Sequence, residues 1–504
     1  MNVLNKAKIV MVSLDERPCN HLYPQLMPKG DYELVMIPSE LLGKKKVPAD
    51  TKVIHDWILD NVKDADVVIL SMDTVCFGGI VPSRLHYETY DTLSQRTRII
   101  EEIKEVNPSI KIYAFELIMR CPTYSSSDEE PDYYQTYGRE IHLYGVYSHK
   151  EKLGILTDEE KTKYEEVKAK LDMEVLNDFV TRRRLNLAVL MNSLEYLKQG
   201  LIDYFIVPQD DASPYGFTTI DQEKVRDFIK KNSLELKSAM YPSADDTGLT
   251  LLARSVNCVY GVKPKVFVYY ASSKGQYVIP SFEDRIISET VKFHIMALGG
   301  IQVYSLAESD ILLAINIGSA MCHEDDSMYK LAYDIERNLG SYIEYINYAI
   351  SLGKHVCVAD VAHPNGSELR LLKLIHNSDL GYKISGYAGW NTSSNTIGCA
   401  LCQTNLYMLT YDKESNDLFL THRYYEDGGY MSKVRWLVTY DYLSKFGFDY
   451  FNVGDGKLVG KLVQIELDKY MTSEFPKFKE RVKKIAVSMP WHRMFEIRLD
   501  LEMK

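Results

Sequence analysis

Two adjacent carboxylates end an apolar run in Tyr204-Phe-Ile-Val-Pro-Gln-Asp-Asp-Ala-Ser-Pro-Tyr-Gly216. The run reads as a strand, and Asp210 and Asp211 at its C-terminal end face opposite sides of an extended segment. Neighbouring carboxyls in different surroundings acquire different pKa values, which lets one act as a general acid while the other stays ionised. Asp210 and Asp211 are therefore the candidate catalytic pair. Tyr215, on the same turn, is a candidate substrate contact.

The same arrangement of apolar run, polar residues and turn recurs along the chain. Leu14-Asp-Glu-Arg-Pro-Cys-Asn20 offers Asp15, Arg17 and Asn20 to a ligand, or an Asp15–Arg17 ion pair that fixes its own loop. Ser71-Met-Asp-Thr-Val-Cys-Phe-Gly-Gly-Ile-Val-Pro-Ser-Arg84 supplies Asp73 and Arg84, with Gly78 and Gly79 allowing close approach of the backbone to a ligand. The glycine spacing is neither GxGxxG nor that of a Walker loop, so it does not support nucleotide binding. Phe115-Glu-Leu-Ile-Met-Arg-Cys-Pro122 reads as a Glu116–Arg120 pair joining neighbouring strands.

Further on, Asp245 and Asp246 precede a helical pattern, where carboxylates satisfy orphan N–H groups; capping is the favoured reading, with substrate contact by Asp245 the alternative. Val358-Ala-Asp-Val-Ala-His-Pro-Asn-Gly-Ser367 carries Asp360, His363 and Asn365. Trp390 and Asn391 stand together before another helix. An aromatic face beside amide groups suits a sugar ring, with core packing the alternative for Trp390.

The elements that must position these residues are short apolar runs at 8–14, 33–37, 67–71, 111–117, 204–207, 265–270, 311–317, 355–359 and 383–387, separated by helical patterns such as 92–106 and 173–199. The alternation predicts an α/β fold with a mainly parallel sheet, closed into a (β/α)8-like barrel or left open. At 504 residues the chain exceeds what a single core usually organises. The expected division is a catalytic α/β domain over 1–403 with an insertion, read as a lid, at 125–170, followed by a C-terminal α+β subdomain over 404–504.

A net charge of -11 argues against a general binder of nucleic acid or anionic membranes, both of which require basic surface. No stretch approaches the roughly 18 apolar residues of a spanning helix, and the first residues lack a signal-peptide core, so a cytoplasmic protein acting on a small molecule or oligosaccharide is expected. The 8 cysteines are scattered through apolar segments and read as reduced thiols. Cys399 and Cys402 form a CxxC that neither a second CxxC nor a His pair completes, so no metal or other cofactor is expected.

Taken together, Asp-Glu-Arg-Pro-Cys-Asn, Phe-Gly-Gly-Ile-Val-Pro-Ser-Arg, Gln-Asp-Asp-Ala-Ser-Pro-Tyr-Gly, Ser-Ala-Asp-Asp-Thr-Gly-Leu-Thr-Leu-Leu-Ala-Arg, Ala-Asp-Val-Ala-His-Pro-Asn-Gly and Ala-Gly-Trp-Asn-Thr resemble a bacterial domain-of-unknown-function family, forty-one twenty-seven. The resemblance spans Leu14 to Phe495 and implies no activity. Asp246 stands where the family is expected to carry Glu, which weighs against that position as an essential acid. A local resemblance, confined to the Asp210-Asp211 motif, is to barrel-fold N-acetylhexosaminidases, in which the substrate's acetamido oxygen is the nucleophile. It implies that Asp210 orients the acetamido group and that Asp211 is general acid and then base.

Three functions fit these residues. The first is a glycoside hydrolase of the retaining, substrate-assisted kind. The second is a metal-dependent hydrolase of amide or phosphate bonds with carboxylates and His363 as ligands, although the chain has no HxH or HExxH. The third is a non-catalytic sugar-binding protein, which the charge at several strand ends disfavours.

Overall fold

The computed structural model describes residues 6–319 and 335–504. The chain folds as two compact units: 1–16, 33–251 and 282–284 form the first, and 17–32, 252–281 and 285–504 the second.

The first unit is built on six strands, β1 (Ala7–Val12), β2 (Tyr32–Met36), β3 (Val67–Ser71), β4 (Lys111–Phe115), β5 (Tyr204–Gln209) and β6 (Ser238–Pro242), in the order β2-β1-β3-β4-β5-β6. β1 pairs with β3, β3 with β4, β4 with β5 and β5 with β6, each in parallel. Every residue of β3, β5 and β6 is buried. Strands covered on both faces need apolar side chains at both parities, which is why β3 and β5 read as continuous runs rather than alternations.

The second unit repeats the plan with β7 (Lys265–Tyr270), β8 (Ile301–Val303), β9 (Ile311–Asn316), β10 (His355–Asp360) and β11 (Gly386–Ala388), ordered β11-β10-β9-β7-β8, all pairs parallel. A separate antiparallel pair is made by β12 (Val482–Ser488) and β13 (Arg498–Met503). Counted within each unit, both sheets have the 2-1-3-4-5 order of doubly wound folds, with a sixth strand added in the first. In that order the chain reverses direction across the sheet between the first and third strands, and ligands bind beyond the C-terminal strand ends at such a reversal.

Several expectations are corrected here. Among the described residues the parallel strands form two sheets with ends, and closure into a barrel is not seen. Residues 404–504, expected as a C-terminal subdomain, fall in the second unit together with its sheet. The helix expected over 92–106 is two, Tyr90–Thr97 and Ile99–Val106, meeting at Arg98. Met173–Gln199 is a single long helix as expected. The insertion contributes helices Tyr134–Lys152 and Asp158–Lys170.

Candidate functional site

Register brings the polar ends of β3, β4 and β5 level. Ser71 pairs with Phe115, and Phe115 with Ile206. Beyond β4, Ile118 bridges to Gln209 at the end of β5. Asp73, Arg120 and the Asp210–Asp211 pair therefore emerge along one edge of the first unit's sheet.

Asp73 lies in the first turn of helix Met72–Phe77, whose N-cap Ser71 accepts the Thr74 N–H at 3.3 Å. The Thr74 hydroxyl lies 2.8 Å from both the Ser13 and the Leu14 carbonyl oxygens, which ties this helix to the end of β1 at the sheet's reversal point. Asp73 accepts the Leu117 N–H at 3.0 Å. Burial pushes its carboxyl up to about 7, against the lowering effect of that hydrogen bond and of Arg84. Glu116, also buried, is raised well above the ordinary range by desolvation and then by Asp73.

Six charged side chains converge beside this pair. Arg84 donates to Asp210 Oδ2 at 2.9 Å, to Glu129 Oε2 at 3.0 Å and to Glu130 Oε1 at 3.3 Å. Arg120 donates to Glu130 Oε1 at 2.7 Å, to Glu129 Oε2 at 3.1 Å and to Asp211 Oδ2 at 3.5 Å, and lies 3.7 Å from Asp210. Asp211 has φ 47°, a left-handed conformation that Asp tolerates better than most residues. The expected divergence of the two carboxylates from an extended segment is thus not what the backbone makes, since both lean toward Arg120. Their surroundings differ nonetheless. Asp210 holds the Arg84 guanidinium, while desolvation and the neighbouring Asp210 charge push Asp211 up to about 7. About a fifth of each side chain meets solvent, so both remain within reach of a ligand.

The insertion buttresses this edge. Tyr134 Oη donates to the Pro122 carbonyl at 3.2 Å, and His142 Nδ1 lies 3.0 Å from that of Cys121. On the long helix, Arg183 pairs with Asp221 at 2.5 Å and reaches the Arg120 carbonyl at 3.4 Å. Tyr215 packs edge-on against His149, with Lys150 over its ring at 5.0 Å. Asp15 is buried after β1, and Asp245 and Asp246 are buried after β6. Asp246 accepts from Ser243 Oγ at 2.5 Å and Thr250 Oγ1 at 3.1 Å, and burial lifts it to about 7.

The remaining candidates differ from expectation. A Cβ on Gly78, at φ +84°, would stand 2.6 Å from the Ala49 nitrogen, so the packing of the 43–49 loop requires glycine here. Gly79 follows at φ +137°. Glu116 accepts from Ser193 Oγ at 2.8 Å, and Arg120 turns to the insertion's acids, which replaces the expected Glu116–Arg120 pair. Glu129 and Glu130 were not singled out in the sequence. The available signal was a run of three acids, Asp128-Glu129-Glu130, within reach of two arginines at strand ends.

In the second unit, Arg17 lies over the Trp491 ring at 4.6 Å, and Asn20 sits buried in the short helix Pro18–His21. Trp390 is 4% exposed and packs edge-on to Tyr23 and Phe495, which makes it core rather than a platform. Asn365 and Asn391 both have positive φ, 57° and 62°, and the Asn365 N–H donates to the Asn391 carbonyl at 2.9 Å. Asp360 accepts from Asn316, Tyr387 Oη and the Glu368 N–H at 2.8, 3.0 and 2.7 Å. Arg337 and Glu368 form a fully buried ion pair beside it. Asp427, on a π-helical turn within Tyr424–Val434, accepts from Arg423 and from the Gly389 N–H, each at 2.8 Å. Asp360 and Asp427 are wholly buried, and their hydrogen bonds tie the surrounding loops together. Cys399 and Cys402 lie buried in helix Ser393–Thr410. Among the described residues, no group of three or more His, Cys, Asp or Glu is placed to hold a metal ion, and no helix is long and apolar enough to cross a membrane.

Fold and site together define an α/β protein of two doubly wound units, with an arginine-bound carboxylate cluster at the strand ends of the first. The chain matches the family described as "Protein of unknown function (DUF4127)" over residues 9–500 and belongs to that family. Neither a curated protein nor a solved structure matches it.

Proposed function

We propose that the protein is a hydrolase working by acid–base catalysis at Asp210 and Asp211, and that its substrate is a glycoside. The observation that carries this reading is the difference between two neighbouring carboxyls: Arg84 donates to Asp210 at 2.9 Å, while desolvation and the neighbouring Asp210 charge push Asp211 up to about 7. A carboxylic acid that keeps its proton near neutral pH protonates a departing glycosidic oxygen, and the arginine-bound neighbour orients the substrate. Adjacent carboxylates on one loop fit the substrate-assisted variant, in which an acetamido oxygen of an N-acetylhexosaminide attacks the anomeric carbon and the protein supplies no nucleophile. The reading rests on site chemistry, since one fold hosts many activities.

The test is hydrolysis of a panel of chromogenic glycosides, including both anomers of N-acetylhexosaminides, by the wild type and Asp211→Asn, with and without chelator. Release that requires Asp211 and is indifferent to chelator supports the assignment. Full activity of Asp211→Asn on an unactivated glycoside sinks it, and release abolished by chelator moves the site to metal chemistry.

A further inference from the structure

One oxygen of Glu129 occupies a position that two guanidiniums define. Glu129 Oε2 accepts from Arg84 NH1 at 3.0 Å and from Arg120 NH2 at 3.1 Å. The arginines hold their places by other contacts. Glu130, with 1% of its side chain exposed, takes Arg120 Nε at 2.7 Å and Arg84 NH1 at 3.3 Å, and Asp210 takes Arg84 NH2 at 2.9 Å. Glu129 is the wetter of the two glutamates at 17%, and it lies within residues 119–133, a stretch with no helix or strand. Converging guanidinium N–H groups recognise the oxygens of carboxylates and phosphates.

We propose that Arg84 and Arg120 form an oxyanion subsite beside the Asp210–Asp211 pair, where Glu129 stands in for a carboxylate or phosphate group carried by the substrate. The inference deepens the function proposed above and rests on it: the glycoside bears an acidic substituent. Charge balance dictates an exchange rather than an addition. The acids Glu129, Glu130, Asp210 and Asp211 outnumber the two guanidiniums they surround, so a further anion is repelled, whereas an anion that displaces Glu129 takes over a place already built for a negative oxygen. A neutral sugar gains nothing from displacing it.

The experiment is calorimetric titration of the whole chain with inorganic phosphate and, separately, with glucuronate, for the wild type, Glu129→Gln and Glu129→Gln/Arg120→Met. Glu129→Gln is expected to bind one of the two about tenfold more tightly than the wild type, as removal of a competing charge-assisted bond implies. The double variant loses that gain, and the better ligand identifies the substituent. Equal affinity in wild type and Glu129→Gln, or a gain that survives Arg120→Met, overturns the proposal. If Glu129→Gln does not fold, the wild type decides the matter: a melting-temperature rise that neither glucuronate nor inorganic phosphate makes larger than glucose does overturns it. Because binding is read without turnover, Asp211→Asn retaining the same titration separates failure of the subsite from failure of the acid assignment.

Discussion

Arg84 distinguishes Asp210 from Asp211: its NH2 donates to Asp210 Oδ2 at 2.9 Å, whereas Asp211 meets Arg120 NH1 at 3.5 Å. One guanidinium thus anchors the first carboxylate of the pair and leaves the second to be governed by its burial and by its neighbour's charge. Arg84 is itself 2% exposed, so its contacts are made largely out of water.

Removing that guanidinium strands carboxylates that it neutralises. Arg84→Met should lower stability by roughly 3–5 kcal/mol, the cost of breaking a buried pair while one partner stays charged. Urea unfolding followed by the fluorescence of Trp57, in the first unit, measures this. A loss below about 1 kcal/mol contradicts the assigned role.

Asp211→Asn should slow hydrolysis of an unactivated glycoside by about two to four decades. In the wild type the acid form disappears as pH rises through about 7, so the rate falls on that side. A pH–rate profile reads the limb directly, and residual activity of the Asn variant should lack it.

Asp73 makes a separate pH prediction. Its folded value near 7 lies above the ordinary carboxyl value of about 3.9. The folded state therefore binds more protons than the unfolded state between these values, and the Asp73 contribution to stability, full at the acid end, is lost as pH rises to about 7. Asp73→Asn keeps an acceptor for the Leu117 N–H and removes the titration. Its melting temperature relative to wild type should climb between pH 5 and 8; a constant difference refutes the shift.

Gly78→Ala places a Cβ 2.6 Å from the Ala49 nitrogen and 2.8 Å from its oxygen, at a φ of +84° that L side chains rarely adopt. A destabilisation of about 2 kcal/mol or more is expected from strain and overpacking together. Thermal unfolding checks it, and a neutral substitution means that the 43–49 loop yields easily.

In the second unit, Tyr23 Oη donates to Glu426 Oε2 at 2.8 Å, and Arg423 lies over the Tyr23 ring at 4.0 Å. Tyr23→Phe keeps the ring and removes one hydrogen bond to a buried carboxylate, which should cost about 1.5–3 kcal/mol. Asp427→Ala, which removes one of the two carboxylate partners of Arg423 and the acceptor of the Gly389 N–H, should cost more. Urea unfolding of the two variants side by side tests that order.

The sequence by itself determined most of the strands and the polar residues that leave them. Apolar runs mark β1, β3, β4, β5, β7, β9 and β10, most plainly β3, β5 and β9, which are buried along their whole length and have no polar side to show. Asp73, Asp210 and Asp211 were legible because each directly follows such a run. Short strands such as β6 and β8 were not read from it. The tertiary structure decided which strands share a sheet, since parallel pairing joins segments far apart in sequence and an apolar run carries no record of its partner. It decided that Trp390 packs in the core, because an aromatic residue after a strand reads the same whether buried or exposed. It also decided that Glu129 and Glu130 meet Arg84 and Arg120: ion pairing depends on distance in space, and Arg84 lies 45 residues from Glu129 along the chain.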